Sequence, residues 1–265
     1  MKYIFTRFLS ISILSLAVLL LPKMIYCQNT PQEYYQMKIY RIDSLSQEKI
    51  IDDYLQNAYV PALHRAGIPL VGVFKPVESD ENAGRLIYVF VPFKSLNQFL
   101  ELPAMLQKDD EYQNTGAEYI NAAHVNPPYN RFESIILKAF SEFPVCKAPE
   151  FNTPLDERIY ELRSYESPTE KYYEKKIEMF NKGGETIIFR RLGFQPVFFA
   201  EVLSGSHMPN LMYMTSFSDK SSRDEHWRSF SDDPEWKKLK AMEKYQNTVS
   251  KADIYFLHPT AYSDF

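Results

Sequence analysis

The sequence is poor in the residues that staple a chain, grip a metal or cradle a phosphate. It has two cysteines, Cys27 and Cys146, in 265 residues. Only Cys146 survives if the N-terminus is removed, and then no internal disulfide can form. Cys146 lies in the proline-rich stretch PVCKAP and reads as an unpaired linker cysteine rather than a nucleophile. The histidines, His64, His124, His207, His226 and His258, include no pair four apart on a helix and join no cysteine or carboxylate cluster. A zinc or non-haem iron site therefore has no support, and no metal is expected. There is no G-x-S-x-G, no P-loop and no dinucleotide fingerprint, so no cofactor is expected from motifs. Gly183–Gly184 reads as a helix break, not a phosphate cradle. Basic charge is also scarce: 30 Lys and Arg stand against 34 Asp and Glu, for a net charge of −4. Without a basic patch, nucleic acid is excluded as a partner.

Long apolar runs are absent except at the start. Lys2 and Arg7 precede an apolar run from Ile11 to Leu21, too short to span a bilayer comfortably, followed by Pro22. Residues 1–27 are thus expected to be a signal peptide cleaved before Gln28, making the protein periplasmic or extracellular with no membrane span. A lipoprotein anchored through Cys27 is the less favoured reading, because Tyr26 stands where a lipobox needs a small residue. Cleavage would move the net charge from −4 to −7.

What is present is an ordinary globular composition, 45% hydrophobic and 24% charged, in a chain long enough for one large or two modest domains. Gln36 to Ile42 alternates as a strand, with Met37, Ile39 and Arg41 on one side and Lys38, Tyr40 and Ile42 on the other. Ser44 to Gln47 offers an S-x-x-Q cap for a helix with an apolar face from Ile50 to Leu63, bending at Pro61 and stopping at Gly67. Strands at Leu70–Lys75 and Arg85–Phe93 follow, joined by the turn ESDENAG, then a helical region from Leu96 to about Ala123 and a strand at Phe132–Phe140. Strand, helix, strand, strand, helix, strand is the split-βαβ, ferredoxin-like order.

Three prolines between Pro144 and Pro154 interrupt the pattern, and then it restarts. Strands are expected at Arg158–Tyr165, Phe194–Leu203, Leu211–Phe217 and Ala252–Leu257, with helix between Ser167 and Leu192. Sequence echoes accompany the matching order: HRAGIPLVGVF parallels RRLGFQPVFF, and LIYVF parallels LMYMT. The expected class is α+β. Two tandem ferredoxin-like units, 28–143 and 156–265, are joined by a linker at 144–155 and pack sheet to sheet as an intrachain α+β barrel. LMYMTSF has no polar face, as a sheet buried on both sides requires: Leu211, Tyr213 and Phe217 lie on one side, Met212 and Met214 on the other. Exposed sheet edges could still pair two chains, so monomer and homodimer both remain open.

Between Ser221 and Lys240 the chain reads SSRDEHWRSFSDDPEWKKLK. Ser222 and Glu225 have capping-box spacing, so a helix is expected from about Arg223 to Phe230. Asp233–Pro234 signals a second helix start. Trp227, Phe230, Trp236, Leu239 and Met242 form one apolar edge, which turns both tryptophans inward.

The opening IYELRSY, the R-x-G turn at Arg191–Gly193, LMYMTSF and the HW…DDPEW helices together resemble the NIPSNAP family over Glu157–Phe265, with a diverged copy at Tyr35–Phe143 lacking both tryptophans. The resemblance implies a dimeric α/β-barrel fold; it carries no catalytic residues over. The remaining candidate site is the barrel interior or the cleft beneath the tryptophan helices, where Tyr160, Arg190, Tyr213, His226 and Trp227 would line an apolar cavity with polar tips. The expected function is binding of a small apolar molecule or a protein partner. Superfamily analogy offers a cofactor-independent monooxygenase or isomerase as the alternative, and His226 offers haem binding through a single histidine.

Overall fold

The computed structural model describes residues 31–265; the expected signal segment, its cleavage point and Cys27 lie outside the described residues. In chain order the first half holds β1 (Tyr34–Arg41), α1 (Leu45–Tyr54), a π-turn (Leu55–Tyr59), α2 (Val60–Arg65), β2 (Gly72–Pro76), β3 (Leu86–Phe93), α3 (Leu96–Gln107), α4 (Asp110–Thr115), α5 (Ala117–Ile120) and β4 (Arg131–Ala139). The second half holds β5 (Ile159–Glu166), α6 (Glu170–Phe180), α7 (Glu185–Arg191), β6 (Gln195–Ser204), β7 (Asn210–Phe217), α8 (Lys220–Asp232), α9 (Pro234–Lys240), a 3-10 turn (Glu243–Tyr245) and β8 (Lys251–Pro259).

Local chemistry sets the boundaries. Ser44 caps α1 by accepting from the Gln47 N–H at 3.2 Å, and the Gln47 side chain accepts in return from the Asp43 N–H at 2.9 Å. The irregularity expected at Pro61 begins a turn earlier, as the π-turn at Leu55–Tyr59. A wider turn there accommodates a ring that has no N–H to give the helical ladder. Gly184 separates α6 from α7 at φ +87°, a left-handed conformation that only glycine adopts without strain.

The cap of α8 differs from the sequence expectation. Asp219, not Ser222, is the N-cap: its carboxylate accepts from the Ser222 N–H at 2.8 Å, so the helix starts at Lys220 and runs on to Asp232. A charged acceptor is the better partner for the positive end of the helix dipole. Asp233 caps α9, accepting from the Glu235 and Trp236 N–H groups at 3.0 Å each, with Pro234 in the first turn. The two tryptophans are half-buried rather than turned fully inward, and Met242 is exposed.

The eight strands close into one barrel in the order β1-β3-β2-β8-β5-β7-β6-β4, and every neighbouring pair is antiparallel. The two halves therefore meet by hydrogen-bonded seams, β2 with β8 and β4 with β6, rather than as two separate sheets laid face to face. Closure satisfies every edge strand, so no described edge remains for a second chain to extend. An eight-stranded barrel is just wide enough to be filled by its own side chains. Met37, Phe74, Phe90, Tyr160, Phe198, Met214 and Phe265 fill this one, with Phe90 and Phe198 stacked at 4.8 Å.

Two further apolar clusters lie outside the barrel, each under the helices of one half. β7 is buried at every position, with Met212 and Met214 inside and Leu211, Tyr213 and Phe217 beneath the helices. The proline-rich segment is tied to the barrel: the Cys146 N–H donates to the Glu33 carboxylate at 2.8 Å and the Lys147 N–H to the Val197 carbonyl at 3.0 Å. Burial pushes the Cys146 thiol far up, leaving it inert near neutrality. Among the described residues no helix is long and apolar enough to cross a membrane.

Candidate functional site

Strand β5 organises the site because it alternates. Tyr160 and Leu162 point into the barrel, which leaves Glu161, Arg163 and Tyr165 on the face covered by helices. Two charges on the covered face of a strand need partners, and the neighbouring elements supply them. The Glu161 carboxylate, fully buried, accepts from Arg163, from Arg223 of α8 at 2.7 and 3.1 Å, and from the indole N–H of Trp227 at 2.8 Å. The Arg163 guanidinium lies over the Trp227 ring, 3.6 Å from its centre. Its Nη1 also donates to the Tyr165 hydroxyl at 2.9 Å, which stands 2.9 Å from the Tyr213 hydroxyl.

A second buried pair closes the other wall. Lys176 of α6 donates to Glu185 of α7 at 2.9 Å, with both side chains almost wholly buried. Burial raises the Glu185 pKa above the usual carboxylate range despite the neighbouring ammonium. These groups, with Phe230 and Trp236, line a cleft of about 460 Å³ between the sheet and α8–α9. Burial holds Tyr213 far above the ordinary tyrosine pKa, so at neutral pH its hydroxyl can donate a hydrogen bond but does not act as a base. The Glu161 oxygens are already taken by donors from three side chains, Arg163, Arg223 and Trp227. The cleft can therefore hold a planar ring and offer hydrogen bonds to an oxygen on it.

Of the five residues singled out by sequence, Tyr213 and Trp227 meet in this cleft. Tyr160 is inside the barrel, 4.9 Å from Phe74, because its position on β5 has the opposite parity to Arg163. Arg190 is exposed on α7 and lines a separate surface groove with Lys147 and Glu150. His226 packs edge-on against Phe194 and Phe217, and its Nδ1 is 2.7 Å from the Ser222 carbonyl. A Cβ built on Gly193 would stand 3.7 Å from its Nε2. That imidazole is held by ring packing and its backbone contact, and it does not line the Trp227 cleft. The barrel interior, the other proposed location, is packed by side chains; a small pocket of about 150 Å³ lies at the mouth by Arg41 and Glu133. Among the described residues no His, Cys, Asp or Glu cluster could hold a metal ion.

Sequence reasoning missed Glu161, Arg163, Tyr165, Lys176, Glu185 and Arg223. A signal for the first three was present: a strand beneath helices that reads E-x-R-x-Y puts two charges on one covered face. Lys176 and Glu185 meet only because the chain reverses between α6 and α7.

No curated protein matches this chain. Among solved structures, a candidate monooxygenase from Lactobacillus acidophilus superposes with a TM-score of 0.58 at 13% identity, covering 86% of this chain and 94% of that one. A candidate monooxygenase from Fusobacterium nucleatum gives 0.54 at 12% identity, over 86% and 93%. At such identities the likeness is one of fold. A NIPSNAP-like domain protein from Burkholderia xenovorans, 17% identical, covers 40% of this chain and 89% of its own, with a TM-score of 0.36. The NIPSNAP family model matches residues 160–264, the stretch that carries the Trp227 cleft.

Proposed function

We propose that the protein binds a small planar aromatic molecule bearing a hydroxyl or carbonyl oxygen, in the Trp227 cleft. One observation carries this reading: Arg163, held against Trp227 by Glu161, leads through the Tyr165 and Tyr213 hydroxyls into a cleft of about 460 Å³ walled by aromatic rings. Rigid aromatic walls with a few fixed polar groups are the composition of a small-ligand site. Binding is the better supported reading, because the carboxylate that lines the cleft, Glu185, is held at one oxygen by the Lys176 ammonium at 2.9 Å.

Two further parts of the reading rest on sequence and topology. The strand orders β4-β1-β3-β2 and β8-β5-β7-β6 support two ferredoxin-like units fused by duplication. The apolar run at Ile11–Leu21 supports export, so the ligand would be met outside the cytoplasm.

Calorimetric titration with 1-naphthol and with naphthalene tests the proposal. The protein is expected to bind 1-naphthol about tenfold tighter, with the preference lost in Tyr213→Phe and binding of both probes weakened in Trp227→Ala. Equal binding of the two, or none, would refute it.

A further inference from the structure

The first half contains a cleft of its own, of about 380 Å³, between β1 and the helices above it. We infer that this is a second binding site, in which Lys38 receives the carboxylate of a small aromatic acid. It is separate from the Trp227 cleft and does not depend on what binds there.

The pairing register shows why Lys38 is unusual. Lys38 lies opposite Val89 of β3 as Arg163 lies opposite Tyr213 of β7, so the two cations hold equivalent places in the two halves. Two residues before Arg163 is Glu161, which neutralises it. Two residues before Lys38 is Gln36, an uncharged amide that donates to Ser134 at 2.7 Å. One half pairs its cation with a carboxylate and the other pairs it with none. Among the described residues, none accepts a hydrogen bond from Lys38 or stands within ion-pair distance of it. Its ammonium instead lies among aromatic rings, 4.6 Å from the centre of Phe132, 4.9 Å from Tyr40 and 5.5 Å from Tyr59.

An ammonium enclosed by rings costs free energy that an anion would offset. Burial lowers its pKa to about 8. No charged side chain other than Lys38 lines the cleft. Gln36, Phe132, Tyr54, Tyr59 and Tyr112 line it with Lys38, and Tyr40 and Ser134 lie beside Lys38 on β1 and opposite it on β4. Burial moves Tyr40, Tyr54, Tyr59 and Tyr112 upward, so they stay neutral where Lys38 titrates. The walls thus select an aromatic ring, and the single cation selects a negative charge on it. The volume admits a ligand of two fused rings.

The test is calorimetric titration of the purified full chain with 2-naphthoate and with the uncharged 2-naphthamide at pH 7. Naphthoate should bind about tenfold tighter, as a charge-assisted contact requires. Lys38→Arg should keep the preference, whereas Lys38→Met and Lys38→Gln should bring the ratio close to one while still binding the amide. Above pH 8 naphthoate binding should weaken and be accompanied by proton uptake, because the bound anion holds the ammonium in its charged form. A wild-type protein that binds neither probe, or both alike, overturns the inference. So does a preference that survives in either uncharged variant. The wild-type comparison and its proton uptake require no variant to fold.

Discussion

Glu161 is a carboxylate with no contact to water, held by two arginines and an indole. Removing one partner of a buried charged group costs more than the group itself contributes, because the others are left unpaired. We therefore predict that Glu161→Gln lowers stability by about 3 kcal/mol, read as a fall in the urea midpoint without a change in slope. Lys38 is the opposite case, a half-buried charge with no ion-pair partner among the described residues. Its folded pKa of about 8 lies below the unfolded value, so between the two the unfolded chain binds more protons. Stability should rise with pH above 8, and Lys38→Met should flatten that rise in urea melts at stepped pH. Tyr213 and Trp227 were legible in sequence as rings that a helix and a strand would bring together. Tyr160 was misplaced because strand parity separates it from Tyr213, and Arg190 because it faces solvent at the end of α7.

At the scale of elements, α8 forms the lid of the Trp227 cleft and depends on its first turn. Asp219→Ala should destabilise the protein by about 1 kcal/mol through loss of the cap. The Ser222 N–H and the Ser218 hydroxyl hold the Asp219 carboxyl below its usual range. The contribution of the cap is thus present above the unfolded pKa and lost as pH falls through the folded one. Helical circular dichroism should show an acid step in wild type that Asp219→Ala lacks. The sequence held two competing caps three residues apart, and spacing alone favoured the serine. Asp219 starts the helix one turn earlier with a charged acceptor, so the N–H groups that Ser222 would have capped lie inside the helix. Strand positions were clearer in sequence because turn residues flank short runs that either alternate with period 2 or, as in β3 and β7, are apolar throughout.

At the scale of the whole molecule, the barrel is closed by unequal seams. β2 and β8 pair at three positions, whereas β1 and β3 pair at eight. Hydrogen exchange should therefore be fastest, among barrel strands, at Phe74–Pro76 and Leu257–Pro259. Equal protection around the barrel would contradict this. The repeated element order in the sequence was enough to anticipate an α+β barrel, but periodicity records which faces are buried and not which edges meet. Closure by hydrogen-bonded seams was for that reason beyond reach.

The central claim is that the Trp227 cleft holds a planar aromatic oxygen compound, and a crystal structure of the protein with 1-naphthol tests it most directly. The account predicts the naphthol ring against Trp227 or Trp236, with its oxygen within hydrogen-bond distance of Tyr165, Tyr213 or Arg163. A cleft that stays empty at saturating naphthol, or naphthol bound only elsewhere, would contradict it.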